Sequence, residues 1–289
     1  MIADLLRVSR PLSWINTAYP FMAAYLLAAR TVDVPMVVGT LFFLVPYNLA
    51  LYGVNDVFDY ASDLGNPRKG GVEGALLPRR RHRLVLVASL VACLPFLAAL
   101  VALGPPASWV VLAVSLFALV AYSAPPLRWK EVPFADSLTS SVHFVSPAVY
   151  GLALAQAAPD RGTFAALGAF LLWGMASHAF GAVQDIVPDR AGGISSVATT
   201  LGAARTVRFA LVAWTAAGLL ALTTTWPGPL TALLALPYLL TALPYARLED
   251  ADSARANRGW RHFLWLNYAC GTVLTLILIW YVLRNGGMS

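Results

Sequence analysis

Charge is what this chain has least of. Only 12% of its 289 residues are Asp, Glu, Lys or Arg, about half the share usual in soluble domains. With 59% hydrophobic residues and a mean hydropathy of +0.68, that shortage excludes an ordinary soluble globule. Cysteine is nearly missing as well. Cys93 and Cys270 each lie in an apolar run, and no CxxC or Cys/His spacing occurs, which argues against a zinc site or a disulfide framework and for two buried small hydrophobes. No glycine-rich loop of Walker or Rossmann form and no GxSxG is found, so nothing points to a nucleotide fold or a serine hydrolase. Short alternating strands are lacking, which sets aside a membrane β-barrel. The opening MIADLLRVSRPLSW carries Asp4 and leads into a long apolar stretch, matching neither a cleavable signal nor a transit peptide.

What is present is a series of apolar runs, several long enough for the roughly 20 helical residues that cross a bilayer core. The pattern predicts an all-α polytopic membrane protein with nine transmembrane helices, near 13–31, 34–58, 83–103, 107–124, 135–156, 162–183, 206–225, 228–246 and 262–283, forming a single domain over 1–289. The net charge of +6 is not a nucleic-acid signature. With the N-terminus inside, every Lys and Arg except Arg30, Arg161 and Arg284 falls in an inner segment, and this bias sets the orientation with the N-terminus in the cytoplasm. The location expected is the cell's inner (plasma) membrane, with the N-terminus and the active site on the cytoplasmic side. The outer loops are minimal, GPPAS and WPGP, whereas the inner loops at 64–82, 125–134, 190–205 and 247–261 are longer and richer.

Against that background the acids stand out. Asn55, Asp56, Asp59 and Asp63 close one apolar run as NDVFDYASD, and Asp185 and Asp189 close another as QDIVPDR. Carboxylates beside a bilayer are costly and are usually kept for a task. At about 100° per residue the first four fall within a sector of roughly 100°, and the second pair is one turn apart on its own helix. Both sets lie at the inner ends of even-numbered spans. Asp59 to Asp185 and Asp63 to Asp189 are both separated by 126 residues, a faint internal echo of two four-helix halves. Oxygen donors of this kind suit Mg²⁺, which binds through a few carboxylates together with substrate phosphates. Asn55, Asp56, Asp59, Asp63, Asp185 and Asp189 are therefore the candidate metal ligands of a diphosphate site. An interfacial acid paired with a nearby arginine is the plain alternative for any one of them.

Basic residues follow each cluster. Arg68 and Lys69 come directly after the first, and Arg128 and Lys130 follow Tyr122 in YSAPPLRWK. Arg takes phosphate oxygens in a bidentate manner and Lys supplies a compact charge. His178, two turns before Asp185, and Asn48, two turns before Asn55, are candidate cavity residues; a core or pore-lining histidine without a catalytic duty is the favoured reading of His178, and packing is an equal alternative for Asn48. Tyr52, Tyr122 and Trp129 are candidates for an aromatic lining, although aromatics at interfaces are more often belt residues.

Together NDVFDYASD, YSAPPLRWK and DIVPDR resemble the UbiA superfamily of intramembrane prenyltransferases. The first matches that family's NDxxDxxxD at every defined position. The second keeps the DxxxD core, with Ala182 where many members carry a further Asp. The resemblance implies a helical bundle around a central cavity and Mg²⁺-dependent transfer of a prenyl group from an allylic diphosphate. It implies catalytic roles for Asp59, Asp63, Asp185 and Lys130, and diphosphate binding by Arg68, Lys69, Arg128, Lys130 and Tyr122. Asn48, Tyr52 and His178 would line the prenyl and acceptor cavity. Within the superfamily, RPLSWINTAYPF, PYNLALYGVNDVFDY and NPRKGGVEGALLP look most like the lycopene elongases of carotenoid-producing actinobacteria. That implies dimethylallyl diphosphate as donor, lycopene or a similar apolar molecule as acceptor and C45 or C50 carotenoids as products. Membrane lipids and a carotenoid cyclase are the further partners, and nucleic acid is not one. An aromatic or quinone-pathway prenyltransferase shares every metal ligand and is the nearest rival. A cation transporter is the rival of another class, although transporters usually place charges near the midplane on broken helices.

Overall fold

The structure, a computed structural model, describes residues 2–64 and 75–285. Among these there is no β-strand. The helices are α1 Ile2–Val8, α2 Ile15–Ala29, α3 Val34–Leu44, α4 Pro46–Phe58, α5 Tyr60–Asp63, α6 His82–Leu103, α7 Pro106–Ser123, α8 Ala135–Leu154, α9 Arg161–Ala182, α10 Ile186–Ala191, α11 Val197–Leu201, α12 Ala203–Ala221, α13 Ala235–Ala242 and α14 Asn257–Arg284. Their starts are written in the sequence. Asp33 accepts the Met36 N–H at 3.1 Å to cap α3, and Asp160 accepts the Thr163 N–H at 2.7 Å to cap α9. Ser196 and Thr199 form a capping box at α11, while proline occupies the first positions of α3, α4 and α7, where its missing N–H costs nothing.

Seven helical stretches are long and apolar enough to cross a membrane: Val34–Phe58, Arg79–Leu103, Pro106–Ser123, Arg161–Ala191, Ala203–Ala221, Gly228–Tyr245 and Asp250–Arg284. This is an integral membrane protein. The expected spans at 13–31 and 135–156 are helical, but neither is among the seven. Helix α2 has 15 residues, about 22 Å at 1.5 Å per residue. Helix α8 is diluted by Asp136, Ser137, Thr139, Ser140, Ser141 and His143.

The chain folds as two compact units, residues 1–129 with 142–158, and residues 130–141 with 159–289. The first is centred on stacked and edge-on rings of Phe21, Phe42, Phe43, Tyr47 and Tyr150, all buried. Gly39 lets α3 lie on α2, since a Cβ there would stand 2.1 Å from the Phe21 ring. The second unit is centred on Phe180, Trp214, Tyr238 and Phe263. Each unit carries one of the acidic sequences at the end of an apolar helix.

Candidate active site

In the first unit α4 ends at Phe58, and Asp59 adopts φ −97°, ψ −2° before α5 resumes. The sequence reading ended its second span near 58 and applied helical spacing across 55–63. The break leaves the one-turn spacing intact, because the Asp59 N–H still donates to Asn55 O at 2.9 Å and the Asp63 N–H to Asp59 O at 2.8 Å. Asp59 is 4% exposed. Its Oδ2 accepts from Asn55 Nδ2 at 2.5 Å, and the same nitrogen donates to Ser123 Oγ at 3.0 Å. With the amide nitrogen so engaged, Asn55 has Oδ1 to offer a cation. Asp63 is half-buried one turn further on.

Arg128 has φ +40°, a left-handed conformation uncommon outside glycine. It turns the guanidinium onto Phe58 O at 3.3 Å and Ser123 O at 3.4 Å, with Nη2 3.8 Å from Asp59 Oδ1. A cation is thus set at the C-terminal ends of α4 and α7, where the helix dipoles favour one. Tyr122 meets His143 edge to face at 5.3 Å between ring centroids.

Two of the expected site residues have protein partners in this unit. Asp56, grouped by spacing with the metal ligands, has both carboxylate oxygens engaged elsewhere: Oδ1 accepts from Arg10 Nη2 at 2.7 Å and Oδ2 from the Ala75 N–H at 3.2 Å. Asn48, a candidate cavity residue, is fully buried. Its Nδ2 donates to Thr17 Oγ1, Phe43 O and Leu44 O at 2.7, 2.8 and 3.1 Å, so it ties α2 and α3 to α4. Tyr52 lies under the Arg10 guanidinium, 4.2 Å from its ring centroid. Arg68 and Lys69 lie outside the described residues.

In the second unit the same conformation recurs. Helix α9 tightens into a 3-10 turn over Val183–Asp185, and Asp185 adopts φ −97°, ψ −1° before α10 begins. Asp189 sits in the first turn of α10, where the helix N-terminus favours a carboxylate. Gln184 beside it accepts from Asn257 Nδ2 at 2.5 Å and donates to Gly181 O at 2.8 Å. His178 Nδ1 is 3.1 Å from Ser137 Oγ. The adjacent Asp136, fully buried, accepts the Ser137 N–H at 2.7 Å and the Val197 N–H at 2.8 Å. Lys130, in a 3-10 turn over Trp129–Glu131, has Nζ 3.9 Å from Glu131 Oε1.

The UbiA prenyltransferase family model matches residues 17–284. The chain belongs to that family. It is 54% identical over 284 residues to a C(50) beta-cyclic carotenoids biosynthesis protein, LbtBC, of Dietzia sp. strain CQ4, covering 98% of this chain and 66% of that one. The chain thus spans just under two thirds of the Dietzia protein. It is 49% identical over 275 residues to a lycopene elongase/hydratase of Corynebacterium glutamicum, covering 95% of this chain and 96% of that one. Among solved structures, a UbiA homologue from Archaeoglobus fulgidus bound to DMAPP and Mg²⁺ aligns with a TM-score of 0.63 at 18% identity, over 93% of this chain and 99% of that one. At that identity the likeness is one of fold.

For a UbiA enzyme the donor chemistry fits a hard divalent cation. Asn55, Asp59, Asp63, Asp185 and Asp189 offer only oxygen, which suits Mg²⁺. Among the described residues no three His, Cys, Asp or Glu side chains gather closely enough to hold a metal by themselves. Two contributors, Ser123 and Asp136, escaped the sequence reading, as did the contact of Arg10 with Asp56. Ser123 stands inside the YSAPP motif and was readable as a neighbour of Tyr122. Arg10 lies 46 residues from Asp56 and Asp136 lies 61 from Val197, and no local pattern announces either contact.

Proposed function

We propose that this prenyltransferase transfers a dimethylallyl group from dimethylallyl diphosphate to lycopene, giving C45 and C50 products, with Mg²⁺ as its cofactor. One observation carries the reaction class. Two apolar helices of a UbiA prenyltransferase each end at an aspartate in the bridge conformation, near −97° and 0°, with a second aspartate four residues on. The donor and metal are supported by the Archaeoglobus homologue, which binds both. The acceptor is supported by the lycopene elongase/hydratase of Corynebacterium, nearly the same length and about half identical.

When bound, Mg²⁺ would neutralise the donor's diphosphate and so favour its departure. We assign Asn55, Asp59, Asp63, Asp185 and Asp189 as its ligands. Arg128 offers the leaving group N–H donors while held by the ends of α4 and α7, Lys130 adds a compact charge, and Arg68 and Lys69 complete the basic set. Tyr122 assists at the diphosphate end. Breaking the C–O bond yields an allylic cation, and the terminal double bond of the acceptor attacks it to form the new C–C bond. The tertiary cation then loses a proton or captures water. The rings of Tyr52, Tyr122 and Trp129 in the first unit, and His178 in the second, are our candidates for shielding the cation from water. We place the enzyme in the plasma membrane with its acidic sequences on the cytoplasmic side, among lipids and supplying a carotenoid cyclase.

Expression in lycopene-accumulating cells tests the proposal. C45 and C50 products identified by mass spectrometry are expected, and Asp59→Ala or Asp185→Ala abolishes them. Unchanged lycopene, alongside prenylation of an aromatic acid by the same membranes, overturns the acceptor assignment.

A further inference from the structure

Asp56 belongs by sequence to the acidic motif and by structure to something else. Its carboxylate is 5% exposed and the Arg10 side chain 17%, so the pair sits away from water. Arg10 reaches it from φ +50°, again a left-handed conformation uncommon for a side-chain-bearing residue. The guanidinium lies over Tyr52, one turn before Asp56 on α4, while the second carboxylate oxygen takes the N–H of Ala75, itself buried. Three segments thus meet on the last turn of α4: the stretch before α2, the helix itself, and the chain that follows the acidic sequence. Asn55 and Asp59 flank Asp56 on that turn.

The second unit repeats the device with its parts exchanged. Position 136, 126 residues after Arg10, carries the buried carboxylate, and position 182, 126 residues after Asp56, is alanine. Asp136 again takes an N–H from downstream of the acidic sequence, that of Val197. His178, 126 residues after Tyr52, is again held from this segment, through Ser137. In each unit one buried carboxylate fastens the segment after the acidic sequence, and a ring two turns before the bridge-conformation aspartate is met by a polar side chain from earlier in the chain, Arg10 in one unit and Ser137 in the other.

We propose that Asp56 is a positioning residue and not a metal ligand. With Arg10 and Ala75 it clamps the last turn of α4, so that Asn55 and Asp59 are presented to the cation in a fixed geometry. The inference rests on the assignment of Asn55 and Asp59 as ligands made above. Residues that orient ligands typically change metal affinity by about 10- to 100-fold when removed, and parts of one unit are non-additive.

Mn²⁺ is the probe. Its binding to the purified full-length protein is followed by EPR in the presence of inorganic pyrophosphate, and melting temperature is recorded in EDTA. Arg10→Ala and Asp56→Ala are each expected to weaken Mn²⁺ binding about tenfold. The double variant should be no weaker than the worse single one, and Arg10→Lys, which keeps the charge, should lie between wild type and Arg10→Ala. Loss of binding on Asp56→Ala with none on Arg10→Ala overturns the proposal by making Asp56 a ligand. Lower melting temperatures with unchanged Mn²⁺ affinity overturn it by making the clamp a fold element only. Should the alanine variants fail to fold, Arg10→Lys decides alone: unchanged affinity at unchanged melting temperature overturns the clamp. Asp59→Ala separates the two levels, since undiminished Mn²⁺ binding there defeats the ligand assignment itself.

Discussion

At the scale of single residues the first acidic set divides by partner. Asp59 has Asn55 at 2.5 Å and Arg128 at 3.8 Å, both suited to a site that receives phosphate and metal. Asp56 has an arginine and a backbone N–H from outside the motif. Arg128→Ala removes a cation from two helix ends as well as from the site. We expect a fall in kcat of roughly 100-fold, the size found for losing one preorganised electrostatic group, with a lower melting temperature. A loss confined to KM, with kcat intact, would assign Arg128 to uniform binding. Ser123→Ala takes away one acceptor of the Asn55 amide, and an approximately tenfold higher Mg²⁺ requirement is expected, read from diphosphate release against Mg²⁺ concentration. The spacing of carboxylates made Asn55, Asp59 and Asp63, and separately Asp185 and Asp189, legible as two sets, since i, i+4 on a helix places each set on one side. That spacing could not separate Asp56 from them, nor Asn48 from a cavity residue. Their roles depend on partners brought up by tertiary packing: Arg10 and Ala75 for one, Thr17 and Phe43 for the other.

At the scale of elements, the helix ends explain how much of the site was readable. An unbroken helix and the observed break at Asp59 share the same i→i+4 backbone bonds across the break, so the pattern was right about spacing and silent about conformation. The caps were written plainly. Asp160 accepts the Thr163 hydroxyl at 2.6 Å and its N–H at 2.7 Å, and the hydroxyl first, then the N–H, hold its carboxyl below the ordinary Asp value. A lowered folded-state value means the cap stabilises α9 fully above the unfolded value, near 3.9, and is lost as pH falls through the lowered one. Asp160→Asn should therefore reduce the acid sensitivity of melting, seen in circular dichroism below about pH 4. Gly39 is different in kind. Nothing nearby in sequence marks it, yet a methyl group there meets the Phe21 ring at 2.1 Å. Gly39→Ala is expected to cost about 1–3 kcal/mol by overpacking, measured as a shift in denaturation midpoint.

At the scale of the whole molecule, composition was enough for the class of protein, because 12% charge leaves little choice of solvent. The number of spans was less legible. Apolar runs announce themselves where they are long and carry few polar residues. Helix α2 is short and α8 carries buried Asp136, Ser137, Ser141 and His143, whose partners lie in the protein interior. Orientation is the remaining whole-chain property, and it rests on the inner-side crowding of Lys and Arg. The stretch Gly228–Tyr245 is apolar and long enough to cross the membrane, so Thr225 and Ala254, both exposed, are expected at opposite ends of one crossing. In a Cys93→Ser/Cys270→Ser background, Thr225→Cys should react with a membrane-impermeant maleimide in intact cells. Ala254→Cys, set among Arg247, Arg255, Arg258 and Arg261, should react only after permeabilisation. The opposite labelling would put Asp185, two crossings before Ala254, on the outer side, away from a cytoplasmic supply of allylic diphosphate.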